Sequence, residues 1–157
     1  MIIRQAREED APDIAAVFNA YIGKSHMVTV GRSPKECVDL MQNKRAQVLV
    51  GHDFRGWMMG YASVKPYSER GGYAGAAEVS IFMDPQHTGK GGGQDLYDVL
   101  LPTALRLGYH HLTAKIWTAN DGSIRFHERN GFKLVGIQHG IGMSGGRRID
   151  MTIMERV

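Results

Sequence analysis

Gln86-His87-Thr88-Gly89-Lys90-Gly91-Gly92-Gly93 decides how this chain folds, because it stands between the apolar run Glu78-Val79-Ser80-Ile81-Phe82-Met83-Asp84-Pro85 and an amphipathic segment opened by Gln94. The order is strand, glycine loop, helix. Glycines let backbone N–H groups approach an anion, and a helix starting near Gly91 adds unpaired donors and the positive end of its dipole. The loop reads as a pyrophosphate cradle for a nucleotide-bearing cofactor.

Two common nucleotide loops are excluded by spacing. A Walker A reading of Gly89-Lys90 puts Asp84 at the first glycine position and Gly91 at the Ser/Thr position. A dinucleotide fingerprint begun at Gly89 meets Gln94, and one begun at Gly91 meets Leu96. The literal match Gly140-Ile141-Gly142-Met143-Ser144-Gly145 leads into the strand-like Arg147–Met154 and reads as a coincidence of a glycine-rich loop.

What does fit is Gln86-x-x-Gly89-x-Gly91, which resembles the acetyl-CoA loop of the GNAT N-acetyltransferases. Asn120-Asp121-Gly122-Ser123-Ile124-Arg125-Phe126-His127-Glu128-Arg129-Asn130-Gly131-Phe132 is similar to that superfamily's second signature, N-x-x-[AS]-x-x-x-[YH]-x-x-x-G-F. The likeness extends to Ile3–Asp10 and Arg148–Met154, and so to nearly the whole chain. Glu78-Val79-Ser80 matches the E-x-S strand of the phosphinothricin and methionine sulfoximine acetyltransferase branch. The resemblance implies one GNAT domain over residues 1–157. Its fold class is α/β: a mixed, mostly antiparallel sheet of six or seven strands with helices on both faces, strands 4 and 5 splayed to admit acetyl-CoA.

The rest of the chain agrees with such a layered α/β fold. Residues Met1 to Arg4 suit a strand, and Glu8 to Tyr21 place Ile14, Val17, Phe18 and Tyr21 at helical spacing. Ser33-Pro34-Lys35-Glu36 has the form of a capping box opening a helix that carries Val38 and Met41 inward, with Cys37 as packing. Gln47–His52 and Trp57–Lys65 read as a hairpin, Pro66–Gly75 as a loop, and Ala77–Met83 as the strand before the cradle. The helix beyond it shows Leu96, Val99, Leu100 and Leu107 on one face. A strand over His111–Trp117, a helix from about Gly122 to Asn130, and strands over Phe132–Gln138 and Arg147–Glu155 follow.

Composition narrows the partners. At 157 residues the chain is one domain, and its single cysteine excludes an intramolecular disulfide. No signal peptide or apolar run of spanning length is visible, so the cytoplasm is the expected compartment, with no membrane partner. The net charge of +3 is scattered, without a basic stripe, and argues against nucleic acid. No metal is expected: position 131 is Gly where a zinc motif begun at His127-Glu128 needs a ligand, and His110 and His111 would point to opposite faces of a strand.

Acetyl transfer to an amine needs a base, a polarised carbonyl, a proton for the departing thiolate, and positioning. Glu78 is the candidate base, directly or through water; an isolated Glu carboxyl titrates near ~4.3, so burial or a water chain has to help. Its bland alternative is a solvated strand residue. His127 stands where many GNAT enzymes have a proton-donating tyrosine and where the phosphinothricin branch often has His; the alternative is a packed, satisfied histidine. For acetyl-CoA, the resemblance implies the backbone of Ile81, Phe82 and Met83 beside the pantetheine amides. It places Gln86, Gly89, Lys90, Gly91, Gly92, Gly93 and Gln94 at the pyrophosphate, with Asn120 and Ser123 across the cleft. Asn120 and Ser123 are equally suited to capping a helix.

The acceptor side departs from the branch. Tyr73 keeps an aromatic, but Ala74-Gly75-Ala76-Ala77 follows where an arginine and a Thr-Val-Glu strand are usual; Ser144 and Arg148 replace a lysine and a tryptophan, and Asp150 remains. Arg70, Arg147 and Arg148 are candidates to hold an acceptor carboxylate, with Tyr73 and Asp150 beside them. The expected acceptor is a small-molecule amine, an amino acid or analogue; the alternatives are protein N-termini or lysines, or a CoA-binding module without turnover. A homodimer is expected from the family and from the apolar run Ile149–Met154, read as near a sheet edge.

Overall fold

Alternation of buried side chains builds the sheet. In β2 (Gln47–His52), Val48 and Val50 face one side and Leu49 the other; in β3 (Met58–Pro66), Tyr61 faces the first side and Ala62 and Val64 the second. The computed structural model describes residues 1–24, 28 and 30–157. Its remaining elements are β1 (Ile2–Gln5), α1 (Ala11–Asn19), α2 (Pro34–Gln42), β4 (Ala76–Met83), α3 (Gly92–Arg106), β5 (His111–Trp117), α4 (Asp121–Arg129), β6 (Lys133–Ser144) and β7 (Arg147–Arg156). The seven strands form one sheet in the order β1-β2-β3-β4-β5-β7-β6, antiparallel except for β4 and β5. Among the described residues no helix is long and apolar enough to cross a membrane.

Helices cover the two faces unequally. Ile14 and Val17 of α1 and Cys37 of α2 pack on Val48, Val50 and Tyr61. Leu96, Tyr97 and Leu100 of α3 pack on the opposite face against Ala62, Val64, Ala77 and Val79, each fully buried side chain contributing roughly 1.5–3 kcal/mol. The Ser33–Glu36 capping box forms as expected: Glu36 N donates to Ser33 Oγ at 3.3 Å and Ser33 N to Glu36 Oε2 at 2.7 Å.

Three expectations need correction. The helix read from Glu8 is a short tight turn over Glu8–Asp10 followed by α1, because the Asp10 carboxylate is committed to Arg7 N and to a two-pronged pair with Arg4 at 2.7 and 2.8 Å. Val99 is 37% exposed, and Tyr97, Leu101 and Ala104 join Leu96 and Leu100 inside. Residues 139–144, read as loop, continue β6: a bulge between Gln138 and Gly142 absorbs the glycines, with Gly140 at φ +58°. The strand over Arg147–Arg156 does lie near a sheet edge: β7 sits between β5 and the edge strand β6.

Candidate active site

The sheet forks at Glu78. Strands β4 and β5 pair at Ala76–His111, Ala77–Leu112 and Glu78–Thr113 and then diverge, opening a cavity of about 250 Å³ lined by residues 78–82 of β4, 114–117 of β5, Met151 of β7, and Asn120, Ser123 and His127 of the α4 region. Backbone groups along β4 beyond the fork have no strand beside them on the β5 side, which leaves an edge suited to an extended amide chain. Met83 differs in that its carbonyl already accepts from the Tyr21 hydroxyl.

Glu78 shares a face with Ser80 and Phe82, the α1–α2 face, while His127 belongs to the α3–α4 side; the fork lets both reach one space. The Glu78 side chain is 21% exposed, and Lys115 Nζ lies 3.4 Å from its Oε2. His127 is 3% exposed. Its Nδ1 is 2.8 Å from the Ser123 carbonyl, which only accepts, so Nδ1 carries the proton and the Tyr97 hydroxyl donates to Nε2 at 2.8 Å. Both ring nitrogens are engaged in the neutral form, and burial pushes the His127 pKa down and the Tyr97 pKa up. The ring therefore builds the wall, edge-on to Tyr97, Phe126 and Phe132, and proton donation from it requires one of these bonds to be exchanged. Asn120 caps α4, its Oδ1 accepting from Ser123 N at 3.2 Å.

At the far end of β4 the glycine loop meets α3. Asp84 Oδ1 accepts from Gln86 N at 2.8 Å and Lys90 Nζ donates to the Gln86 carbonyl at 3.1 Å, closing the turn. Gly91 is the N-cap at φ +85°, a left-handed conformation that aims the first-turn N–H groups of Gly92 and Gly93 outward without helical partners. Donors in this arrangement could hold an anion such as the pyrophosphate of a nucleotide-bearing cofactor. The glycines are not equivalent: a Cβ on Gly91 would meet open space, whereas one on Gly92 would come within 2.5 Å of Met1 Cε and 2.8 Å of Met83 Cε, so those two flexible side-chain ends would have to move. Gln94 uses its carboxamide on Asn130 and Asp98, joining α3 to the end of α4.

The residues expected around the acceptor do not converge. Tyr73 packs tilted against Tyr67, both lining a second cavity of about 300 Å³ together with His111, Thr113, Val135, Ile153 and Glu155. Arg70, Arg147 and Arg148 are exposed and line neither cavity, and Arg148 donates to the Gly140 carbonyl. Asp150 accepts from Gly140 N at 2.7 Å and from His139 Nδ1 at 3.2 Å, which lowers its pKa and closes the β6 bulge. Sequence reasoning missed Lys115, Trp117, Met151 and Tyr97. Lys115 and Trp117 alternate with buried Ala114 and Ile116, a signal present in the sequence, but their side of the sheet depends on the β4–β5 register.

The acetyltransferase (GNAT) domain profile matches residues 3–153. An L-methionine sulfoximine/L-methionine sulfone acetyltransferase of Salmonella typhimurium is 35% identical over 99% of this chain and 93% of its own. The solved ribosomal-protein-alanine N-acetyltransferase of Brucella melitensis superposes with a TM-score of 0.92 at 26% identity, over 100% of this chain and 99% of its own. A phosphinothricin acetyltransferase of Sinorhizobium meliloti, solved with acetyl-CoA, gives 0.91 at 27%, over 99% and 86%.

Proposed function

The chain belongs to the GNAT acetyltransferase family, and from that premise we propose that it transfers the acetyl group of acetyl-CoA directly to the primary amine of an amino acid or amino-acid analogue. The observation that carries this reading is the fork: one carboxylate, Glu78, stands where β4 and β5 part, facing a cavity along β4, the strand that leads into the glycine loop. Acetyl-CoA supplies an activated thioester. The β4 edge and the first turn of α3 would hold it, and Glu78 takes a proton from the acceptor's ammonium, directly or through water, freeing the amine that attacks the thioester carbonyl. His127, locked between Tyr97 and Ser123, shapes the thioester end of the cleft; in its cationic form it is also the candidate donor to the thiolate.

Support for a small acceptor comes from relatives acting on amino-acid analogues. The likeness to the Brucella enzyme favours acetylation of a protein N-terminus as a second reading. Thiol release with free amino acids, methionine sulfoximine, phosphinothricin, polyamines and alanine-led peptides tests both. Turnover of free amino acids or their analogues, with weak activity on phosphinothricin, is expected; turnover of peptides alone overturns the small-molecule reading, and silence with intact CoA binding leaves a CoA-binding module.

A homodimer belongs to the same proposal. The edge strand β6 exposes Leu134, Val135, Ile137, Ile141 and Met143, apolar surface that a second copy would cover. Light scattering should report twice the 17.4 kDa chain mass; a single-chain mass throughout the micromolar range rejects the dimer.

A further inference from the structure

Among the described residues lining the forked cavity, Lys115 is the only cation and Glu78 the only carboxylate, and they are 3.4 Å apart. Glu78 occupies the last paired position of β4, opposite Thr113, so Lys115 lies two residues beyond the fork on the same face. Its Nζ stands 5.9 Å from the centroid of the Tyr67 ring, and its side chain is 44% exposed. An ion pair this open to water is worth little by itself and is readily exchanged for another.

We propose that Lys115 is the anchor for the acceptor's carboxylate, and that a zwitterionic α-amino acid enters by replacing the Glu78–Lys115 pair with its own two charges. This rests on the amine transfer proposed above. Bond lengths fix the nitrogen and nearer carboxylate oxygen of an α-amino acid roughly 3 Å apart, a span close to that of the resident pair. The acceptor nitrogen then meets Glu78, which must accept its proton, while the carboxylate meets Lys115. One pair of contacts both holds the acceptor and turns its amine toward the cleft. The arginines suggested by the sequence cannot share this task from where they stand, since Arg70, Arg147 and Arg148 are outside the cavity wall. An ammonium is a compact point charge without the planar fork of a guanidinium, so Lys115 sets a charge requirement with little demand on the geometry of the anion.

The test compares L-methionine sulfone with its α-carboxamide as acceptors, by thiol release, in the wild type, Lys115→Met and Lys115→Arg; simple primary amines are run alongside. The wild type should favour the acid over the carboxamide in kcat/KM, mainly through KM. Lys115→Met should shrink that preference by about ten- to a hundredfold, the range for losing a hydrogen bond to a charged group, and Lys115→Arg should restore part of it. An undiminished preference in Lys115→Met, or a wild type indifferent between acid and carboxamide while it acetylates amines, overturns the anchor and leaves amine transfer standing. A wild type that acetylates no amine removes both. Calorimetry of L-methionine sulfone binding to the CoA-saturated protein gives a readout independent of turnover: affinity retained in Lys115→Met also rejects the anchor.

Discussion

The two banks of the cleft are made of different material. The β4–α3 bank presents backbone: a strand edge that β5 has left, a left-handed Gly91, and first-turn N–H groups. The β5–α4 bank presents side chains: Lys115, Trp117, Asn120, Ser123 and His127, with Met151 behind them. Backbone geometry is the same whatever acceptor is used, which suits a bank that meets an invariant cofactor. Side chains can be exchanged one at a time without disturbing the sheet, which suits a bank that selects the acceptor. Glu78 stands at the junction, on the first bank but facing the second.

The largest expected effect falls on that junction. Glu78→Gln preserves shape while removing proton acceptance, so kcat should fall by ~10² to 10⁴ with CoA affinity little changed. Near-normal turnover between pH 6 and 9 would place proton removal elsewhere and leave the banks without a shared catalytic group.

Next comes a break in the backbone bank. Gly91→Val forces a β-branched residue into φ +85°, a strain of about 1–3 kcal/mol that the loop can relieve only by turning its N–H groups away. Open space surrounds the Gly91 Cβ position, so the fold itself tolerates the side chain. CoA affinity measured by calorimetry should drop roughly ten- to a hundredfold at similar melting temperature, and unchanged affinity in a folded variant would remove the cradle assignment.

The corresponding break in the other bank acts on stability. His127→Phe leaves the Tyr97 hydroxyl buried without its acceptor, at a cost of about 1–3 kcal/mol. The histidine also has a pH signature. Its folded pKa is depressed by burial, so the unfolded chain takes up a proton near pH ~6.5 that the folded chain resists. Its contribution is fully present above that value and is lost as pH falls toward the depressed one. Denaturation midpoints for wild type and His127→Phe should converge on acidification; a constant gap would show that His127 does not titrate across this window. A kcat loss in the variant as large as that of Glu78→Gln would favour His127 as the proton donor.

This division also explains what could be read from sequence. Gly89, Gly91 and the Glu78–Met83 run announce themselves because backbone chemistry restricts residue type: only glycine accepts φ near +85° readily, and an alternating apolar run bounded by Asp84-Pro85 has few other structures. A layered α/β fold followed from the same local rules, while the strand number and the splayed strands 4 and 5 came from the resemblance to the GNAT superfamily. The acceptor bank did not, since Lys115 acquires meaning only from the β4–β5 register, a contact between distant segments. Tyr97 was hidden for the same reason: on α3 it is an inward aromatic, and only the arrival of α4 makes its hydroxyl a partner for His127.

Asp150 carries the smallest expected effect and the sharpest separation of the two kinds of reading. As a sequence feature it belongs to the acceptor pocket; in the structure its carboxylate bridges Gly140 N–H and His139 across the β6 bulge and lines neither cavity. Those two bonds hold its pKa below the usual carboxylate range, led by the Gly140 N–H. Their stabilisation is therefore present above the unfolded carboxyl's titration and lost as pH falls through the depressed folded value. Asp150→Ala should lower the melting temperature at neutral pH by less than His127→Phe does, the difference from wild type vanishing in strong acid. Acceptor KM should change far less than in Lys115→Met, because a bulge that loosens in β6 is separated from the fork by β7. If Asp150→Ala instead raises acceptor KM as much as Lys115→Met, the hairpin reaches the substrate, and the acceptor bank extends beyond β5 and α4 to the sheet edge.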